Sequence, residues 1–419
     1  MQNSGSMKII VIGAGAAGLM AAGRAAELGA KVLVLEKMKQ SGRKLCITGK
    51  GRCNITNTAE LPDFIVHFGK TGNFLRQAYG QFFNTDLMDF LEKSGLTLVT
   101  ERGGRVFPAS GKARDVLDTL MRWLTTHQVH IQYSSPVEKI LTANGQVTGV
   151  VSQGKKHLCN TVILATGGAS YPATGSSGDG YRLSESCGHS IIPIRPALVP
   201  LETCGTSTGK MDGLNLRNIK VSLFVNGKKK NEAFGEVTFA KFGLTGPAIL
   251  TLSGEIVDLL HRKQQIQLSL DLKPALNDKK LDARLVRDFT SRAKETLSSV
   301  LRGLLPKEMV PICLEEVQLS ADRQVTNITA AERKKIRFWL KNFIFTVTNH
   351  RPFSEAIITA GGINTREINP KTMESRLTKG LFIVGELLDL HADTGGYNLQ
   401  AAFSTGWVAG QVATGRNIS

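Results

Sequence analysis

The sequence reads as an α/β chain in which a strand-helix-strand domain is made from both ends and interrupted in the middle. Three observations carry this reading. A glycine-rich turn, Gly13-Ala14-Gly15-Ala16-Ala17-Gly18, lies between an apolar strand and a helix-forming run near the N-terminus. Gly-rich α/β character returns after Phe345, and the stretch between has different patterning, first alternating and proline-punctuated, then charged and glycine-poor.

Taken in order, Lys8 to Ile12 is a short apolar strand, Ala14 to Leu28 is rich in helix formers, and Lys31 to Leu35 is a second apolar strand. Asp63 to Thr126 looks helical and mixed, with an extended piece near Leu96 to Glu101. Ile131 to Val151 offers short strands about the Asn144-Gly145 turn, and Thr161 to Ala165 is a buried-type strand ending in Thr166-Gly167-Gly168. Prolines 193, 196 and 200 open a small β-rich domain containing Lys220 to Val225, the Asn226-Gly227 turn and Ile266 to Leu270. Residues 275 to 343 read as helices, Leu381 to Val384 as a strand, and about Asn398 to Gln411 as a helix. The expected domains are 7–193 with 346–419 as one nucleotide-binding domain, 194–274 as a β-rich insert and 275–345 as a helical insert. Met1 to Ser6, MQNSGS, resembles a tag remnant and stays outside the fold argument.

With 419 residues the chain exceeds one ordinary core. Lys8 followed by an uncharged run to Ala22 could pass for a secretory signal, but the strand-helix-strand continuation through Arg24 to Leu35 favours a phosphate-binding turn. Six cysteines without a CxxC pair or a nearby His at zinc-finger spacing indicate neither a disulfide framework nor a metal site, and a reducing cytoplasm suits them. No run reaches the roughly 18 apolar residues of a membrane helix, so no membrane partner is expected.

The net charge is +17, placed unevenly: residues 1–60 and 273–345 each carry +6, 205–272 carry +3, and 346–419 balance. Such a surface attracts polyanions, nucleic acid above all. A basic enzyme with part of its charge facing a cofactor's phosphates is the plainer alternative.

In the fingerprint turn Gly13 permits the tight bend, Gly15 lets the backbone approach a pyrophosphate, and Gly18 allows helix and strand to pack closely. Glu36 closes the second strand 18 residues after Gly18, where a carboxylate can accept hydrogen bonds from an adenosine ribose. NAD and FAD share this pattern. Soon after Glu36, Ser41 to Lys44 and Thr48 to Asn57 supply glycines, amides and cations suited to the far half of an extended cofactor. Near the other end, Glu386 and Asp389 follow a strand, and Gly395-Gly396 opens a helix whose N-terminus can stabilise negative charge on a reduced flavin.

These segments resemble the BaiN-like, or aminoacetone-oxidase-like, family of bacterial FAD-dependent flavoproteins. The resemblance runs through GAGAAG, GRKLCITGKGRCNITN, ATGGASYPATGSSGDGY, FGLTGPAIL, ITAGGI and TGGYNLQAA, almost the whole chain. It implies a two-dinucleotide-binding-type fold, noncovalent FAD, and an inserted β-barrel plus helical domain. Ala240-Lys241 stands where the family usually has Thr-His, so no role of that His carries over. The candidate cofactor-binding residues are Gly13, Gly15, Ala16, Ala17, Gly18, Glu36 and Lys37; then Arg43, Lys44, Gly51, Arg52, Cys53 and Asn54; then Val137, Thr166, Gly167 and Gly168; and finally Gly385, Glu386, Asp389, Gly395, Gly396, Tyr397 and Asn398.

Cys53, beside Arg52, is the candidate catalytic residue, because a nearby cation can lower a thiol's pKa and make it a proton donor or redox partner. A buried structural Cys is the competing reading. Tyr171, Tyr181 and His391 are further candidates whose plainer roles are packing and loop structure. Residues 330–341 set Arg333, Lys334, Lys335, Arg337 and Lys341 around Trp339, a pattern suited to phosphate and base contacts or to an ordinary solvated face. No second G-x-G-x-x-G follows a strand, so NAD(P)H is expected as a visiting reductant. Three functions remain open: reduction of uridine to dihydrouridine in ribosomal RNA, which the resemblance implies and the charge favours; redox chemistry on a small enone or amine; and a noncatalytic flavin-bearing RNA-binding or assembly factor.

Overall fold

The structure is a computed structural model that describes residues 8–415, so the MQNSGS segment lies outside the described residues. The chain packs as two units. One comes from both ends, up to Pro196 and from Phe353 onward, and the other runs Ala197–Pro352.

In the first unit, β1 (Lys8–Ile12) pairs in parallel with β2 (Lys31–Leu35) on one side and with Thr161–Leu164 on the other. Leu381–Ile383 and His130–Gln132 extend the sheet at its two edges, again in parallel. Only Lys8 of β1 is exposed, as expected for a parallel strand covered on both faces. Between β1 and β2 runs helix α1 (Ala16–Glu27), whose alanines and glycines permit an unusually close neighbour. That neighbour is the C-terminal helix Tyr397–Val412. A Cβ on Gly406 would lie 2.3 Å from the Ala17 carbonyl oxygen, and one on Gly410 would lie 2.4 Å from that of Ala21.

Two hairpins form where an Asn-Gly pair marks them. Asn144 and Gly145 take φ of 51° and 71° between Val137–Ala143 and Gln146–Ser152. Asn226 and Gly227, at 49° and 78°, join Asn215–Val225 to Lys228–Ala240. The second hairpin belongs to a closed six-stranded barrel in the second unit. The barrel's last strand, Phe343–His350, pairs with both Leu201–Thr203 and Ile266–Asp271. It therefore runs past residue 345, where the sequence reading ended the insert. Barrel and helices are also not separable by core, since Val221, Leu268, Leu281, Leu285, Trp339 and Phe343 share one apolar cluster.

Candidate cofactor groove and active site

A groove opens along the C-terminal edge of the parallel sheet in the first unit. β1 ends at Ile12, and Gly13 turns the chain with φ of 102°. A Cβ there would sit 2.6 Å from the Ala165 carbonyl oxygen, and one on Gly18 would sit 1.9 Å from that of Gly13, so both glycines serve close packing of the turn. Gly15 is different: nothing lies within 4 Å of its missing Cβ, and it lines the groove.

Glu36 is nearly buried, and its carboxylate folds back to the turn, accepting from the backbone N–H of Ala14 at 2.7 Å and of Met38 at 2.8 Å. Lys37 donates to Asp179 Oδ2 at 2.6 Å and to Ser177 Oγ, drawing the Gly-rich loop before Asp179 toward the end of β2. Farther along, Lys44 Nζ donates to Glu386 Oε2 at 2.7 Å and to Ser170 Oγ at 2.6 Å. Glu386 Oε1 also accepts from Ser170 Oγ at 2.8 Å and from the Thr359 N–H at 2.9 Å. This half-buried network joins four separate stretches of chain at one wall.

The C-terminal helix begins at Gly396, whose φ is 100° and whose Cβ would lie 2.4 Å from the Thr56 carbonyl oxygen. Asn398 accepts from the Ala392 N–H at 2.8 Å and donates to the Ala392 carbonyl at 2.9 Å, which fixes the preceding loop on the first turn. Asn398, Leu399 and Ala402 face the groove.

Fourteen of the residues proposed from sequence converge here: Gly13, Gly15, Ala16, Ala17, Glu36, Lys37, Arg43, Lys44, Val137, Thr166, Gly167, Gly385, Glu386 and Asn398. Gly18, Gly168, Gly395 and Gly396 shape the backbone without lining the groove; a Cβ on Gly168 would lie 2.4 Å from Thr359 Oγ1. Tyr397 turns away, stacking on His67 at 3.9 Å and packing edge-on against Phe64. Asp389 is half-buried outside the lining; burial raises its pKa, with His391 and Arg195 opposing.

The GKGRCN loop departs most from expectation. Gly49, Lys50, Gly51 and Cys53 all have positive φ, so the chain coils tightly after a helix at Arg43. Gly51, Arg52, Cys53 and Asn54 all lie off the groove. Arg52 stacks 4.2 Å over Phe107 and pairs with Glu101. Cys53 is wholly enclosed, and burial pushes its thiol up to about 12 rather than down. Its surroundings are those of a structural cysteine, because desolvation outweighs the opposing hydrogen bond with Thr48 and Arg52 is engaged elsewhere.

Tyr171 lies off the lining, its N–H bonded to the Phe353 carbonyl oxygen; Tyr181 is buried, and His391 also lies outside it. Gly42 and Thr48, from the stretches read as cofactor-facing, also line the groove; the sequence reading did not single out Gln40, Ser135, Ser176, Asp179, Ile357, Ile358 and Thr405, which line it too. The TGSSGDG run signalled Ser176 and Asp179; the others carry no local signature.

The basic helix is corrected too. Trp339 is buried and donates to Glu316 Oε2 at 2.7 Å, so its ring is a core element and offers no face to a base. Arg333 and Arg337 pair with Asp282 at 3.1 and 3.3 Å, and Lys341 pairs with Asp271 at 2.5 Å. Lys334 and Lys335 are exposed.

Residues 7–412 match the model of the HI0933-like protein Rossmann domain. The chain belongs to the HI0933-like family. Among its relatives, a 3-dehydro-bile acid delta(4,6)-reductase from Clostridium scindens is 32% identical, covering 98% of this chain and 99% of that one. A ribosomal RNA dihydrouridine synthase from Haemophilus influenzae is 29% identical over 95% of this chain and 96% of its own. Among solved structures, a 3-ketosteroid-delta4-(5alpha)-dehydrogenase from Rhodococcus jostii aligns with a TM-score of 0.48 at 16% identity, covering 99% of this chain and 98% of that one.

This HI0933-like protein is an FAD-dependent oxidoreductase. Its groove fits such a cofactor on two counts. The open side of Gly15 is room that the protein itself does not use, and the buried Thr166 hydroxyl at the groove wall has no hydrogen-bond partner. Among the described residues, no helix is long and apolar enough to cross a membrane, and no three His, Cys, Asp or Glu side chains converge as a metal site.

Proposed function

We propose that this oxidoreductase uses a reduced nicotinamide nucleotide to saturate a C=C bond conjugated to a carbonyl, with FAD held in the groove. The ADP half would lie on Gly13 to Ala17, with Glu36 toward the ribose. The flavin would lie toward Thr48, Ile357, Leu390, Asn398 and Leu399. When bound, FAD supplies two-electron transfer: the nicotinamide gives up a hydride, the alkene's β-carbon gains one, and a solvent-derived proton completes the α-carbon. The protein's part is placement. The first turn of Tyr397–Val412 offers N–H groups and a positive dipole end to developing negative charge. Lys44 and Glu386 hold the facing wall in place, and the buried Ile358 and Leu390 give it an apolar surface.

The observation that carries this reading is the make-up of the groove: a dinucleotide turn at one end, a helix N-terminus at the other, and neither His nor Cys in its lining. A Cys-His or Ser-His pair for covalent catalysis therefore has no His or Cys in the lining to build on. Support for C=C reduction also comes from the relatives, since a delta(4,6)-reductase and a dihydrouridine synthase both saturate such a bond.

Uridine in ribosomal RNA is our preferred substrate, supported by the +17 charge and the synthase relatives. A small cyclic enone is the second reading, favoured by the loss of Trp339 as a base-stacking residue. The test is dihydrouridine content of ribosomal RNA with and without the gene, alongside nucleotide oxidation by purified protein given a 3-keto-4-ene steroid. Loss of one dihydrouridine supports the first reading; unchanged RNA with enone turnover supports the second. Neither result would sink the C=C proposal.

A further inference from the structure

Beside the groove is a second hollow, open to solvent and lined by Gln40, Arg43, Cys46, Gly51, Lys112 and Arg114. The helix Arg43–Gly51 separates the two: Lys44, Leu45 and Thr48 face the groove, Cys46 faces the hollow, and Arg43 borders both. The wall is therefore one helix thick, about 10 Å.

Three cations rim this hollow. Arg114 donates to Asp118 at 2.8 Å, whereas Arg43 and Lys112 have no ion-pair partner among the described residues. Two forked guanidiniums and an ammonium around one depression match a phosphate dianion better than a single carboxylate, because each fork can give parallel hydrogen bonds to phosphate oxygens. The position narrows the source. A nucleotide whose nicotinamide sits at the groove must lay its other half somewhere outside, and one helix diameter lies within the reach of a dinucleotide.

We propose that this hollow receives the 2′-phosphate of NADPH, making the enzyme selective for NADPH over NADH. The inference rests on the reading that a nicotinamide nucleotide is the reductant, but its test needs no turnover. FAD-loaded protein is titrated calorimetrically with NADP⁺, NAD⁺ and 2′,5′-ADP. NADP⁺ should bind about tenfold or more tighter than NAD⁺. A Lys112→Ala/Arg114→Ala variant, changed only at exposed positions, should lose about tenfold for NADP⁺ and 2′,5′-ADP, in keeping with two charge-assisted contacts at a wet rim. NAD⁺ affinity, FAD content and melting temperature should hold, and Lys112→Arg should retain NADP⁺ binding.

Equal affinity for the two nucleotides in the parent protein, or equal weakening of both in the variant, overturns the proposal. So does a variant that keeps NADP⁺ but loses a ribosomal RNA fragment, since the hollow would then serve a backbone phosphate. Failure of the C=C reading would appear separately, as absent product despite intact nucleotide preference.

Discussion

At the scale of the residue, the fingerprint glycines divide into two kinds. Gly18 is enclosed by the turn, so Gly18→Val must displace the Gly13 carbonyl, and we expect it to cost ~1–3 kcal/mol or more of stability. Gly15 faces open space, so Gly15→Val should fold with an unchanged melting temperature and yet lose FAD on the order of tenfold or more, because the new side chain occupies the pyrophosphate's approach. Flavin absorbance per protein, read beside a melting curve, checks both. Full FAD content in Gly15→Val would mean that the turn holds something else. The opposite fates of Arg52 and Lys44 make a related point. Both are cations in one short basic stretch, yet Lys44 reaches the groove network and Arg52 is spent on Phe107 and Glu101. Charge and spacing alone do not say which way a side chain leaves a coiled loop.

At the scale of the element, the groove depends on two helices held unusually close. Gly410→Ala brings a methyl within 2.4 Å of the Ala21 carbonyl, so the helices must part, at an expected ~1–3 kcal/mol. If chemical denaturation shows no loss, this contact yields more easily than its geometry implies. A second junction is pH-dependent. The His189 side chain is completely enclosed, with Nδ1 3.0 Å from Glu367 and Nε2 2.8 Å from Ser375 Oγ. Burial holds its pKa below the usual value, outweighing Glu367, so the unfolded chain takes up a proton there more readily than the folded one. Stability is therefore retained above an unfolded pKa of about 6.5 and falls as pH drops through it toward the lower folded value. Urea midpoints should decline from pH 7 to pH 5, and His189→Gln should flatten part of that decline. An equally steep decline in the variant would assign it to other groups.

At the scale of the whole molecule, the +9 on residues 205–345 was the argument for an RNA grip. Ion pairing leaves that excess intact but settles which cations are held: Arg337 pairs with Asp278 and Asp282, Lys341 with Asp271, and Lys210 with Glu315. Charge reversal at Arg337 should therefore destabilise the fold, because Asp278 loses its partner and Asp282 keeps only Arg333. Reversal at the exposed Lys334 and Lys335 should leave stability alone. If the insert does contact RNA, that pair should lower the slope of log affinity against log salt by about 1–2. An unchanged slope would move the RNA surface elsewhere or favour the small enone. Trp339→Ala, expected to cost ~3–5 kcal/mol as a core truncation, should act on stability and not on RNA binding.

The sequence by itself determined whatever depends on neighbours along the chain. The β-α-β unit, the roles of Gly13 and Gly18, the placement of Glu36 at a strand end and the two Asn-Gly turns all follow from local sterics and from apolar period. The specific GRCNITN and GGYNLQ stretches led to the family before any geometry was available. Only the tertiary structure decided what depends on residues far apart in sequence. Cys53 was legible as a loop thiol near a cation, but its burial comes from elements that pack over it and reverse the expected pKa shift. Trp339 lay in a basic helix, but which face met the barrel was settled by Phe343 and the apolar cluster beneath. Lys44, Ser170, Thr359 and Glu386 form one network only because four stretches far apart in sequence meet at one wall of the groove. Desolvation and pairing are properties of the packed chain, so no local pattern encodes them.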